Sequence, residues 1–111
     1  MGVTNSSPFG GLTRTRALLA IQLLGSSYPR ELSRVLGASL APVQRALRGL
    51  EQDGLVAART AGRTRLFTLN PVYFAKRELA AYLERLADAD QALQHAVVSL
   101  RRRPRRTGKP L

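Results

Sequence analysis

From Pro29 to Asn70 the chain reads PRELSRVLGASLAPVQRALRGLEQDGLVAARTAGRTRLFTLN. Pro29 suits the first position of a helix, where its missing N–H costs nothing. Leu32, Val35 and Leu36 give that helix an inner face, and Gly37 supplies a turn. Ser39 caps the next helix, because its side-chain oxygen can accept a free backbone N–H. Pro42 falls within the first turn, where it removes no intrahelical bond. Gly54 ends that helix. Leu55 to Thr60 and Arg65 to Leu69 then read as two strands around an Ala61-Gly62 turn, and Gly62 allows the positive φ of a tight hairpin. Phe67 and Leu69 alternate inward with period two. The order is a helix-turn-helix followed by a β-hairpin wing. Such an arrangement presents one helix to the DNA major groove and a basic loop to the flanking backbone.

The helix after the turn has two separable faces. Val43, Ala46, Leu47 and Leu50 follow the i, i+3, i+4, i+7 spacing of a buried stripe. Ala41, Gln44, Arg45, Arg48 and Gln52 occupy the other side, Ser39 and Pro42 join Ala41, Gln44, Arg45 and Arg48 in the expected DNA-contact set, and small residues at the start allow close approach to a duplex. Gln44 can pair with adenine, and Arg45 or Arg48 can bind guanine bidentately. The competing reading is an ordinary amphipathic helix with a solvated face. Placement between a Gly turn and a wing favours contact with bases or phosphates. Arg59, Arg63 and Arg65 cluster on the wing with no acid expected nearby, which suits phosphate or minor-groove contact, with solvated hairpin charges as the alternative.

Working outward, residues 1–11 read as a flexible arm and 12–70 as the winged helix-turn-helix domain. Thr13 is the expected cap of a helix ending at Leu24, with Gly25 as its stop. Ala17, Leu18, Ile21 and Leu24 form one apolar stripe of that helix, and Leu19 and Leu23 form a second. The second stripe fits either a partner subunit or a core that covers the helix completely. Asn70-Pro71 is a helix start, with Asn as cap and Pro in first position. The spacing predicts a long C-terminal dimerisation helix over 71–103, about 33 residues or roughly 50 Å. Leu79, Leu86, Leu93 and Leu100 recur every seven residues, with Leu83 and Val97 as companions, so a heptad seam for a homodimer is expected. Packing of that seam on the chain's own first helix is the alternative, and the pattern tolerates a break near Ala87-Asp88. Residues 104–111 read as a basic disordered tail. The expected fold class is mainly α with a small β-hairpin wing.

The 111 residues suit one domain. Lys and Arg total 18 against 7 Asp and Glu, a net charge of +11, and six of the basic residues lie in 101–111. That excess favours a polyanion partner. Trp is absent and aromatics make up only 5%, which argues against stacking platforms for single strands or RNA. Cys is also absent, which excludes disulfides, thiolate metal sites and Cys nucleophiles. No apolar run is long enough for a membrane span. The first residues lack a basic-then-apolar signal pattern, so the expected location is cytoplasmic.

The residues resemble the ArsR/MarR-like winged-helix transcriptional regulators. The likeness runs from Phe9 to Leu83. It is clearest at Phe9-Gly10 with Thr13, Arg14 and Arg16, at Arg30-Glu31-Leu32, at Val43 to Leu47 with Leu50-Glu51 and Gly54-Leu55-Val56, and at Gly62-Arg63 with Leu69-Asn70-Pro71. The chain looks most like small winged-helix proteins sometimes encoded beside nucleotidyltransferase domains. The resemblance implies a homodimer paired through its first and last helices, binding a palindromic operator. One departure matters, because many ArsR-like proteins sense metals through Cys, or through Asp and His on the last helix. This chain has a single His, and Asp90 and His95 are not spaced as a ligand pair, so no metal or other cofactor is expected.

No phosphate-binding Gly loop and no Ser/His/acid set is present, so no enzyme is expected. The reading is a dimeric, sequence-specific repressor of double-stranded DNA, with its effector unknown. Two others compete with it. A winged-helix interaction module would bind a protein partner, and a nucleoid-associated protein would bind DNA without sequence preference.

Overall fold

A computed structural model describes residues 9–102. The proposed tail, 104–111, and most of the proposed arm lie outside the described residues. Five helices and one hairpin follow in the order α1 (Leu12–Leu24), α2 (Pro29–Leu36), α3 (Leu40–Gln52), β1 (Val56–Ala61), β2 (Thr64–Leu69), α4 (Lys76–Asp88) and α5 (Gln91–Arg102).

α1 is the spine. Ala17, Leu18, Leu19, Ala20 and Ile21 are successive and all 0% exposed, so this helix has no outer face over that stretch. A helix apolar all round is one covered all round. Its start differs from expectation, because Gly11 holds the cap position and Thr13 lies inside the helix. Thr15 instead turns its hydroxyl back to the Gly11 carbonyl at 2.9 Å.

The helix-turn-helix forms for local reasons. Pro29 opens α2, and the Ser27 hydroxyl donates to the Glu31 carboxylate at 2.7 Å. Gly37 takes the left-handed conformation at φ 63°, which ends α2 at little steric cost. Ala38 N–H then reaches back to the Ser33 carbonyl at 3.1 Å, closing a Schellman turn. Ser39 occupies the cap position of α3, but its side chain makes no capping hydrogen bond.

The hairpin is antiparallel, with Val56 opposite Leu69, Ala58 opposite Phe67 and Ala61 opposite Thr64. Gly62 and Arg63 therefore form the turn, one residue later than the expected Ala61-Gly62. Ser27 adds an isolated bridge to β2, exchanging backbone hydrogen bonds with Phe67 at 3.0 and 2.7 Å. This single bridge ties the wing to the residues just before α2. Asn70 does not start a helix. Its Oδ1 accepts from Val72 N–H at 3.1 Å and its Nδ2 donates to the Gly54 carbonyl at 3.0 Å, so it fastens the end of the wing to the end of α3. Such Asx turns compete with helix formation, and α4 begins only at Lys76.

The single C-terminal helix over 71–103 is corrected to two helices. Asp90 causes the break: its Oδ1 accepts from Leu93 N–H at 3.1 Å, an N-cap for α5. α4 and α5 fold back onto α1 and α2 instead of projecting. The expected dimer seam is corrected with them. Leu19, Leu83 and Leu93 are 0% exposed within one chain, and Leu79, Leu86 and Val97 are buried in the same core. Leu23 and Leu100 pack against its edge. The heptad spacing thus serves an intrachain core, the alternative that the pattern had left open. The fold is a winged helix-turn-helix, mainly α with a small β-hairpin.

Candidate nucleic-acid interface

α3 separates its faces as the sequence requires. Val43, Ala46, Leu47 and Leu50 are buried, while Ser39, Ala41, Gln44, Arg45 and Arg48 are exposed. Pro42 is half-buried. The buried stripe rests on α1 and α2, so the exposed face is presented by a packed scaffold.

The three wing arginines do not act as one group. Phe67 is buried, and Arg65, two residues earlier on the same strand, shares its side of the hairpin. Its guanidinium lies 5.4 Å from the Phe67 ring centroid and pairs with the Glu51 carboxylate of α3 at 3.0 Å. The expectation of a wing without a nearby acid is therefore corrected: Glu51 is fourteen positions away in sequence but adjacent in space. Arg59 alternates onto the opposite side of the hairpin, and Arg63 stands in the turn. Both are exposed.

The end of α3 is held a second time from the other side. Arg14 of α1 pairs with Asp53 and donates to the Phe9 carbonyl. Its guanidinium crosses α3 at Gly49, in space that any Cβ there would occupy. Gly in a helix interior costs about 1 kcal/mol relative to Ala, and here it gives the arginine passage.

Between α2, α3 and the hairpin lies a groove of about 430 Å³. It brings together Gln44, Arg48, Arg63 and Arg65 of the expected site residues, and adds Tyr28 and Arg30 from the start of α2. Ser39, Ala41, Pro42, Arg45 and Arg59 do not line it. Arg30 was not among the residues singled out for binding. The only signal was its position beside Pro29 at a helix start, which says nothing about the wing lying opposite. Chemically, the groove offers guanidinium forks suited to oxyanions, next to an α3 face suited to base edges.

Among the described residues, no three His, Cys, Asp or Glu side chains gather as a metal site. Asp90 is occupied as a cap, and His95 is exposed. Among the same residues no helix is long and apolar enough to cross a membrane.

No protein-family model matches the chain, and no curated protein matches it. Among solved structures the chain is similar to the adhesin competence repressor AdcR from Streptococcus pyogenes, at a TM-score of 0.51 and 16% sequence identity. The alignment covers 82% of this chain and 66% of that one, so the chain spans just under two thirds of that protein's length. At this identity the likeness concerns the fold, and it agrees with the winged helix-turn-helix built above.

Proposed function

We propose that the chain is a non-enzymatic transcription regulator that binds double-stranded DNA by sequence and acts as a dimeric repressor on a palindromic operator. The carrying observation is the exposed face of α3. Gln44, Arg45 and Arg48 stand free on a helix whose opposite side is fully packed, and a basic wing is fastened beside it. In this reading Ser39, Ala41, Pro42, Gln44, Arg45 and Arg48 enter the major groove, while Arg59 and Arg63 meet the flanking backbone or minor groove. Arg65 positions the wing through Glu51. The repressor named in the structural likeness supports the same class.

Two-fold pairing places half-sites about 10 bp apart. The pairing surface is not the heptad seam, which the chain's own core consumes. Leu12, Val72, Phe74, Tyr82 and Val98 are the large apolar side chains exposed among the described residues, and a second copy would have to cover some of these.

The test is selection of bound fragments from a random duplex library at near-physiological salt, where non-specific binding is screened. An enriched inverted repeat establishes the reading. Strong binding with no enriched sequence points to non-specific compaction instead, and absence of binding points to a protein-interaction module.

A further inference from the structure

Four arginines from three elements line one groove: Arg30 from α2, Arg48 from α3, and Arg63 and Arg65 from the hairpin. No Asp or Glu lines it. Arg65 has its counter-charge in Glu51. Among the described residues, Arg30, Arg48 and Arg63 have no ion-pair partner. Three uncompensated guanidiniums around a groove of about 430 Å³ repel one another. The arrangement is relieved when an anion enters. A guanidinium presents a planar fork of donors that matches phosphate oxygens bidentately. Tyr28, Leu47 and Phe67 belong to the apolar lining of the same groove.

We propose that this groove is a phosphate-binding site in which Arg30, Arg48 and Arg63 share one oxyanion, with Arg30 as a binding residue supplied from outside α3 and the wing. The same chemistry has two sources, a phosphate of a duplex backbone and a free polyphosphate. We assign it to the backbone. Gln44 and Arg48 belong both to the groove and to the exposed face of α3, so a duplex laid on that face carries a strand past the groove. The source rests on the proposed DNA binding, whereas the oxyanion site does not.

The experiment uses the full chain, with inorganic tripolyphosphate and a selected or random duplex as separate probes. Arg30→Ala is compared with Arg34→Ala, which removes another exposed charge from the same helix outside the groove. Arginine side-chain N–H signals are followed by NMR during tripolyphosphate titration at near-physiological salt. The expected result is selective movement of Arg30, Arg48 and Arg63. Arg30→Ala should weaken binding about tenfold, and Arg34→Ala less than about twofold, since only the former removes a phosphate contact. For duplex, Arg30→Ala should lower the slope of log K against log salt by about one, leaving sequence preference unchanged. Uniform movement of all arginines, or none, overturns the site. Tripolyphosphate binding with an unchanged duplex slope overturns the backbone assignment and leaves a free polyphosphate as the ligand. If the wild-type chain binds no duplex, the proposed function fails, and the titration still decides the groove.

Discussion

Arg65 on β2 and Glu51 on α3 are joined at 3.0 Å, a direct tie between the wing and α3. Both side chains are partly exposed, at 53% and 34%. An ion pair in that setting contributes about 1 kcal/mol or less to stability. Its larger consequence is positional. It holds one wing cation on α3 and leaves Arg59 and Arg63 for other contacts.

Glu51→Gln is therefore expected to leave the unfolding free energy within about 1 kcal/mol of wild type. It should release Arg65 and raise affinity for random duplex, with the salt slope steeper by about one. The ratio of specific to random binding should fall. Fluorescence anisotropy over a salt series checks this, and an unchanged slope would mean that Arg65 never becomes available to phosphate.

Arg45 and Arg48 occupy successive turns of the exposed face of α3. Arg45→Ala should cost about 1–3 kcal/mol of specific binding and relax preference at one base position, whereas Arg48→Ala, which removes a phosphate contact of the groove, should weaken every sequence alike. Repeating the fragment selection with each variant reads this out. A uniform loss with Arg45→Ala would reassign Arg45 to the backbone, and a relaxed base position with Arg48→Ala would take Arg48 out of the phosphate site.

Arg14 and Gly49 should be energetically coupled. Gly49→Ala gains about 1 kcal/mol of helix propensity but pushes the Arg14 guanidinium away from Asp53. The displaced pair is worth about 1 kcal/mol at most, because Asp53 is 57% exposed. The net change should lie within about 1 kcal/mol. Arg14→Ala should then destabilise the wild-type background and have almost no effect in Gly49→Ala. Denaturant unfolding of the four proteins closes the cycle, and strictly additive effects would refute the contact.

Leu93 and Asp90 test the fold-back of α5. Leu93 is fully buried, so Leu93→Ala should cost about 2–5 kcal/mol. The loss relative to wild type should be equal at protein concentrations about tenfold apart, because the side chain is buried within one chain. A loss that vanished on dilution would return Leu93 to an interface between copies. Asp90→Ala removes the α5 cap and should cost about 1 kcal/mol by the same unfolding measurement.

The sequence announces α2, the turn, α3 and the wing because their signals are local. Pro29, Gly37, Gly54 and Gly62 each act on their own backbone, and three of them take a positive φ. The exposed face of α3 follows from spacing alone. The fate of Leu79 to Leu100 does not, since a stripe states that it is covered and not by what. The same spacing serves a coiled coil and a helix folded onto α1, and the cap at Asp90 decides between them. Arg65 and Glu51 meet only through the hairpin register, where a one-residue slip would turn Arg65 to the other side. The groove depends on three elements at once, so Arg30 carried no signal of its own.

The closed run from Ala17 to Ile21 has a further consequence for how the molecule can change. Those five positions admit no charge and little change in volume, since every one is fully enclosed. Ala41, Gln44, Arg45 and Arg48 touch solvent and bear none of that packing. Inheritance of the fold and, under the proposed function, choice of target thus occupy different residues. New preferences can be acquired on α3 by substitution, by selection or in a randomised library, without renegotiating the scaffold that presents them.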